Sequence, residues 1–503
     1  MRISPVVRSP AAKKINQLYR PVPQQKLTLK KLPNKNPSYL EHAPKLDNKA
    51  ILAKHQDREW SPDEILQAIR KNSLFSWNAS DSVDPIQVAK GDGVYFYDTK
   101  GRKFIDFNSQ AMCSNIGHTV PPSVIEAVTK QMKEIAYCYP CATVTPVKAK
   151  LSALLADIFP GDINTFFYTC GGAESNETAM RMARKFTGRH KIIARYRSYH
   201  GGSAGTMAMT GDPRRWGAEP GIPGVIHVMD PTPYSFSWGA SEEEVAQKNL
   251  TYLREVIQYE GPNSVAAIFL ESVTGTNGVL KPPKGYLEGV RALCDEYGIL
   301  MCCDEVMAGF GRTGKWFGFM HSDPVVIPDI VSMAKGINGA YIPLGAVGCR
   351  DHVADFFRKN PIGIGSTYNS HPVGLASAYA VLKLMLKENI VEHAASMEPI
   401  MIREMERIAD KHPSVKQGRA LGVFGVLDIQ KNKEGDPIVP YNGAAHPAMA
   451  KFKSYLTENG LYTLMRWNNV FCNPPLVIKE HELKEGFSII DKGLDILDQA
   501  MEN

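Results

Sequence analysis

The 503 residues, 44% of them hydrophobic and 22% charged, can bury a large core and suit two or three lobes rather than one small domain. The formal net charge of +6 is unevenly placed. Residues 1–40 hold Arg2, Arg8, Lys13, Lys14, Arg20, Lys26, Lys30, Lys31 and Lys35 and no acid, so the body is slightly acidic and offers no charge-based case for nucleic acid or a membrane.

Residues 1–45 read as a basic extension in which Ile15, Leu18 and Tyr19 share one helical face. Two readings stand: a mitochondrial transit peptide, or a disordered tail in the cytoplasm, which the Pro content and the preference for Lys over Arg favour. No apolar run reaches the ~18–20 residues of a spanning helix. The 9 cysteines are irregularly spaced, which suits free thiols in a reducing compartment. Cys138-Tyr139-Pro140-Cys141 has neither a second pair for zinc nor a thioredoxin-like context, so no metal is expected.

Residues 46–115 form an N-terminal segment in which Gly93–Asp98 and Lys103–Phe107, with Gly101 between, predict a hairpin. Residues 116–370 alternate strands with helices. The strand runs are 164–170, 191–196, 265–271, 299–304, 329–333 and 343–348, with helices over 174–186 and 286–297. This alternation predicts an α/β fold, a largely parallel sheet covered on both faces. Residues 211–240, rich in Pro and Gly, read as a long surface excursion. Residues 371–503 predict a smaller α+β domain, with helices over 375–387 and 396–411 and strand-like runs at 423–429 and 461–465.

Ligands of open parallel sheets collect beyond the carboxyl ends of the strands, so the residues there carry the functional reading. Gly171-Gly172-Ala173 opens a helix and offers backbone N–H groups to a phosphate, although Gly-Gly before a helix is common in any α/β turn. Asp304 ends an apolar strand, where a carboxylate needs a partner. A protonated pyridine nitrogen would serve, and so would a nearby Arg or Lys. Lys335, flanked by small residues just past a strand, suits Schiff-base formation, the plain alternative being a lysine at a loop edge. Tyr199-His200-Gly201 follows another strand, and the four features support one another. Gly309-Phe310-Gly311-Arg312-Thr313-Gly314 matches the dinucleotide fingerprint literally, but no amphipathic helix follows it and no acid-ended strand comes about twenty residues later.

Asp304-Glu305-Val306-Met307-Ala308-Gly309-Phe310-Gly311-Arg312-Thr313-Gly314, then Ala334-Lys335-Gly336 and Pro343-Leu344-Gly345-Ala346, closely resembles the signature of the class III (ω-amino acid) aminotransferases. The resemblance runs from about residue 75 to 495. Phe75-Ser76-Trp77, Phe107–Met112 and Asn115-Ile116-Gly117-His118 resemble the taurine–pyruvate and β-alanine–pyruvate type most closely. It implies the fold type I of enzymes dependent on pyridoxal 5′-phosphate (PLP), with a mainly parallel seven-stranded sheet, and a homodimer with shared active sites.

The roles implied are catalytic for Lys335, which holds PLP covalently, for Asp304, which pairs with the pyridine nitrogen, and for Tyr199, which stacks on the ring opposite Val306. Gly171, Gly172, Ala173, His200 and Glu271 complete the cofactor set, and Thr367 reaches the neighbouring subunit's phosphate. Arg419 fixes a substrate carboxylate, and Trp77, Ser109 and Met112 line the substrate pocket. The sequence departs from the family where Gly171 replaces a Ser of the phosphate turn. Thr276 stands where glutamate-using relatives carry a second Glu, which favours pyruvate over 2-oxoglutarate as acceptor. A GABA-type 2-oxoglutarate enzyme, an aminomutase and a decarboxylating transaminase are the alternatives, and the donor amine is left open.

Overall fold

The computed structural model describes residues 46–502; the basic extension and the targeting helix read within it lie outside the described residues. The chain divides into two units, residues 46–83 and 84–502. In the first, the helix Pro62–Asn72 begins with a capping box: Glu64 N–H donates to the Ser61 hydroxyl and Ser61 N–H to the Glu64 carboxylate. Neither this helix nor Asn48–Lys54 has a buried residue, and Trp77 belongs to this unit with its side chain largely exposed.

The second unit starts with β1 (Val88–Asp92), β2 (Tyr95–Asp98) and β3 (Lys103–Asp106), an antiparallel meander that contains the expected hairpin. The large sheet is made of β4 (Ile163–Thr169), β5 (Lys191–Arg195), β6 (Val225–Val228), β7 (Val265–Glu271), β8 (Leu300–Asp304), β9 (Ile330–Met333) and β10 (Gly345–Arg350). Its order is β4-β10-β9-β8-β7-β5-β6. The run from β9 to β6 is parallel, while β10 lies antiparallel to both β9 and β4. The sheet is therefore mixed and mainly parallel, as expected.

Both faces are covered. In β7 and β8, Ile268, Leu270, Met301 and Cys303 enter one apolar cluster, and the alternating Ala267, Phe269, Leu300 and Cys302 enter another. This is the period of two that a strand imposes, and it explains why these runs read as continuously apolar.

The surface excursion expected over 211–240 needs correction. It contains β6, which pairs with β5 at the sheet edge, and Asp212 within it is fully buried. Four residues bounded by Pro and Gly give too short a pattern for the strand to show.

Beyond the sheet come the helices Pro372–Lys387 and Ile390–Lys411, then β11 (Val415–Leu421) and β12 (Phe424–Ile429). The expected run at 461–465 splits between sheets: β13 (Leu461–Tyr462) pairs with β3, whereas β14 (Met465–Arg466) pairs with β15 (Asn469–Cys472) in the sheet β11-β12-β15-β14. Among the described residues no helix is long and apolar enough to cross a membrane.

Glu305, directly after β8, is fully buried and clamps the following loop: Ser272 Oγ and the backbone N–H groups of Gly318 (2.8 Å) and Phe319 (3.0 Å) donate to its carboxylate. Burial raises its carboxyl to about 7, partly offset by these donors. The folded protein then binds a proton that the unfolded chain has released, so stability falls as pH rises from near 4.5 to about 7 and levels above. Denaturant melts of Glu305→Gln against wild type across that window should show this part of the slope removed.

Candidate active site

Register in the parallel sheet brings three strand ends together: Glu271 of β7 lies opposite Asp304 of β8, and Asp304 opposite Ser332 of β9. Asp304 is buried, and its carboxylate is met by three donors. Asn176 Nδ2 lies 2.7 Å and His200 Nδ1 2.8 Å from Oδ2, and Val306 N–H lies 3.0 Å from Oδ1. A carboxylate only accepts, so His200 carries its proton on Nδ1. Asn176 is itself fixed, donating to the His200 carbonyl and accepting from Ser332 Oγ.

Glu271 holds the next piece. Its carboxylate accepts from Tyr199 N–H (3.0 Å) and Gly275 N–H (2.7 Å), and burial pushes the carboxyl above its ordinary range. It thereby sets where Tyr199 leaves β5.

The helix Gly172–Thr187 starts beside these groups. Its N-cap, Gly171, supplies no side-chain cap, and the N–H groups of Gly172 and Ala173 have no acceptor among the described residues. These are the free donors that a phosphate can use. The approach is close: a methyl at Gly172 would fall 3.0 Å from Val306 Cγ1, and one at Gly201 2.7 Å from Ala173 Cβ. Lys335 follows β9 in a left-handed conformation (φ 45°) at the start of a short 3-10 turn, and its amine makes no hydrogen bond among the described residues. Such a backbone outlier marks a functional position.

The structure also assembles groups that the sequence reading missed. Arg214 lies over the Tyr199 ring, its Cζ 3.6 Å from the centroid, and its Nη2 reaches Thr276 Oγ1 at 2.8 Å. Arg214 and Arg466 both pair with Asp212 (2.6 and 3.1 Å), which also accepts from Asn277. Burial alone would raise the Asp212 carboxyl, but hydrogen bonds and charge from Arg214, helped by Arg466, hold it below the usual range. A carboxylate and an arginine at the start of a short 3-10 turn, with a second arginine on the two-residue strand β14, leave no periodic signal. Only the Asp-Pro pair at 212–213 hinted at a turn.

Other expected residues stand elsewhere. Arg419 on β11 spends its guanidinium on Asp428 and on the carbonyls of Gly278 and Val279. Thr367 sits in an exposed loop, its carbonyl accepting from Tyr137 OH at 2.9 Å. Ser109 and Met112 are buried, Ser109 bonded to the Asn473 carbonyl and Met112 packed in a cluster with Val273, Val279 and Met307. Neither lines open space.

Residues 77–494 match the family described as aminotransferase class-III. The chain belongs to the class III aminotransferases. The putrescine–pyruvate aminotransferase of Pseudomonas aeruginosa is 30% identical over 419 residues, covering 81% of this chain and 90% of that protein. The mitochondrial gamma-aminobutyrate transaminase 1 of Oryza sativa subsp. japonica is 30% identical over 442 residues, 84% of each. Among solved structures, a taurine:2-oxoglutarate aminotransferase from Bifidobacterium kashiwanohense, in complex with PLP and glutamate, superposes with a TM-score of 0.84 at 38% identity, covering 88% of this chain and all (100%) of that one.

The cofactor of a class III aminotransferase is PLP, and the residues present fit it. Lys335 offers an amine without a hydrogen bond among the described residues, Asp304 a buried carboxylate with donors in place, and Gly172 and Ala173 uncapped N–H groups. Lys335→Ala should retain PLP non-covalently yet lose turnover by roughly 10²–10⁴-fold, because anchor and base go together. Borohydride labelling followed by peptide mapping checks the anchor, and a label on another lysine would refute it.

Proposed function

We propose that this class III aminotransferase moves the amino group of an ω-amino acid with an acidic far end, such as taurine or β-alanine, to pyruvate. The observation that carries the reading is the Arg214–Asp212–Arg466 cluster beside Tyr199. Two guanidiniums on one carboxylate leave one net positive charge. That charge suits a single sulfonate or carboxylate, and a planar fork binds either through paired charge-assisted hydrogen bonds. Donor and acceptor would use it in turn, since each carries one anion.

Bound PLP supplies the electron sink. The chain's own residues do the rest. Asp304, oriented by Asn176 and His200, balances the charge of the heterocycle. The Lys335 amine would take the proton from the amine-bearing carbon and return it at the cofactor carbon within the same half of the exchange, the second half running in reverse. Thr367, exposed at a loop, supports an active dimer in which it serves the neighbouring subunit's phosphate. The acid-free basic segment 1–40 supports a mitochondrial address, with the cytoplasm as alternative.

A second reading takes 2-oxoglutarate as acceptor. It is favoured by the likeness to the taurine:2-oxoglutarate aminotransferase, and it requires Arg419 to leave Asp428 for the second carboxylate. Product analysis with taurine, β-alanine, GABA and neutral amines against both oxo acids separates the two: alanine formed from pyruvate supports the first, glutamate the second. Arg466→Ala should raise KM for acidic donors by about tenfold to a hundredfold, the worth of a charge-assisted hydrogen bond, and spare neutral amines. An equal effect on both would remove the anion site from this cluster.

A further inference from the structure

The Gly309–Gly314 motif, which resembles a dinucleotide loop and is not one, has its own use. Its Arg312 is completely buried, and burial lowers its guanidinium to about 10. Among the described residues it has no ion pair. Its hydrogen bonds go to the carbonyls of Val423 (3.2 Å) and Pro474 (2.5 Å), to Ser109 Oγ (3.1 Å) and to Asn115 Oδ1 (3.0 Å), and its Nε is unpartnered. Asp106, also fully buried, offsets the charge only from a distance, and a buried cation without a direct ion pair is costly, so a role in holding something else is the natural explanation.

What it holds is strained. Ser109, Gln110, Ala111 and Met112 all have positive φ (44°, 47°, 67° and 57°), a left-handed turn without one glycine. L residues avoid this region. The turn survives because Asp106 accepts from the N–H groups of Asn108 (2.8 Å) and Gln110 (3.0 Å) on one side, while Arg312 fixes Ser109 on the other.

From that turn the chain passes directly to the back of the lysine loop. The Asn115 amide donates to the Phe310 carbonyl (3.2 Å), and both residues press on Gly336, the neighbour of Lys335. A methyl at Gly336 would fall 2.4 Å from Asn115 Nδ2 and 2.9 Å from Phe310 Cβ. One turn on, a methyl at Gly339 would fall 3.1 Å from Ile116 Cγ1. Tyr341 OH donates to the carbonyl of Thr119 (3.2 Å), closing the far end. Residues 115–119 therefore back the lysine turn along its length.

We propose that Arg312 is a positioning residue for Lys335, acting through Ser109 and the left-handed turn and, more directly, through Asn115 against Gly336. It rests on the family's use of Lys335 as the PLP anchor and on no particular donor. A lysine cannot replace it, because one ammonium cannot serve four acceptors spread over a planar fork.

The test uses purified holoenzyme of Arg312→Lys, Ser109→Ala and Asn115→Ala, each normalised to bound PLP. In Arg312→Lys, kcat should fall about a hundredfold, the cost of a small displacement of a reacting group, with KM for the donor within a factor of about three. The pH midpoint of the absorbance of Lys335-bound PLP should shift, and hydrogen exchange should rise in peptides covering 107–117 and 334–340. Asn115→Ala should reproduce the absorbance shift, and Ser109→Ala the exchange at 107–117 with a smaller loss of kcat. Wild-type kcat, absorbance midpoint and exchange per bound PLP in Arg312→Lys would overturn the proposal. Should that variant not fold, the two alanine variants decide it: wild-type behaviour in both overturns it, and the separated effects support it. The absorbance and exchange readings need no donor, so they stand even where the proposed ω-amino acid proves to be the wrong substrate.

Discussion

A carboxylate at the end of a fully buried strand is costly unless donors are aimed at it before anything else arrives. Asp304 meets that condition through Asn176, His200 and the Val306 N–H, and much of the site follows from how those donors are placed. Asn176 comes from the helix that the phosphate turn opens, and His200 from the loop after β5. Val306 N–H comes from the start of the loop that Glu305 then clamps. One side chain thus ties two parts of the site together, because the helix whose first N–H groups are uncapped is the one that supplies Asn176 to Asp304. The parallel register adds the third element, placing Glu271 on one side and the strand leading to Lys335 on the other.

The arginines obey a related rule. Arg214 and Arg466 are ordered by the buried Asp212, and Arg419 by Asp428. A guanidinium held by a carboxylate within the protein is pre-organised, but it is also partly spent, so the number of arginines overstates the anion-binding capacity. Where two share one acid, a unit of positive charge is left for a ligand. Where one arginine has its own acid, binding a ligand means displacing that acid, as the 2-oxoglutarate reading demands of Arg419.

How much of this was legible follows from the kind of signal each part leaves. Buried strands of five to seven residues, such as β7 and β8, give apolar runs that cannot be mistaken, and the residues at their ends could be named directly. Lys335 and Asp304 were singled out that way. β6 was lost because it is a four-residue edge strand between Gly224 and Pro231, inside a segment whose composition reads as loop. The Asp212, Arg214 and Arg466 cluster was lost for a different reason: Arg466 lies 254 residues beyond Asp212, and only folding shows that it meets the other two. The reading of Arg419 drew on motif resemblance, which cannot see that Asp428, on the neighbouring strand, already occupies the guanidinium.

The hardest feature to read was the left-handed turn at 109–112, since none of its residues advertises the conformation. Some positive-φ positions elsewhere carry residues that tolerate it, as Asn389 and Asn442 do through a short amide that can hydrogen-bond locally, while Val279, Ser370 and Trp467 do not. Around Lys335 none of the non-glycine residues with positive φ is an asparagine. Ser109, Gln110, Ala111, Met112, Phe310 and Lys335 itself all carry positive φ, and most belong to segments that touch one another through Arg312, Asn115 and Gly336. Scattered outliers would be small local costs, whereas a connected group can persist only if its hydrogen bonds over-determine it. Asp106 and Arg312 supply those bonds from opposite sides. The backbone beside Lys335 is thus braced by buried charges from both sides, one of them on the motif that follows Asp304 in sequence.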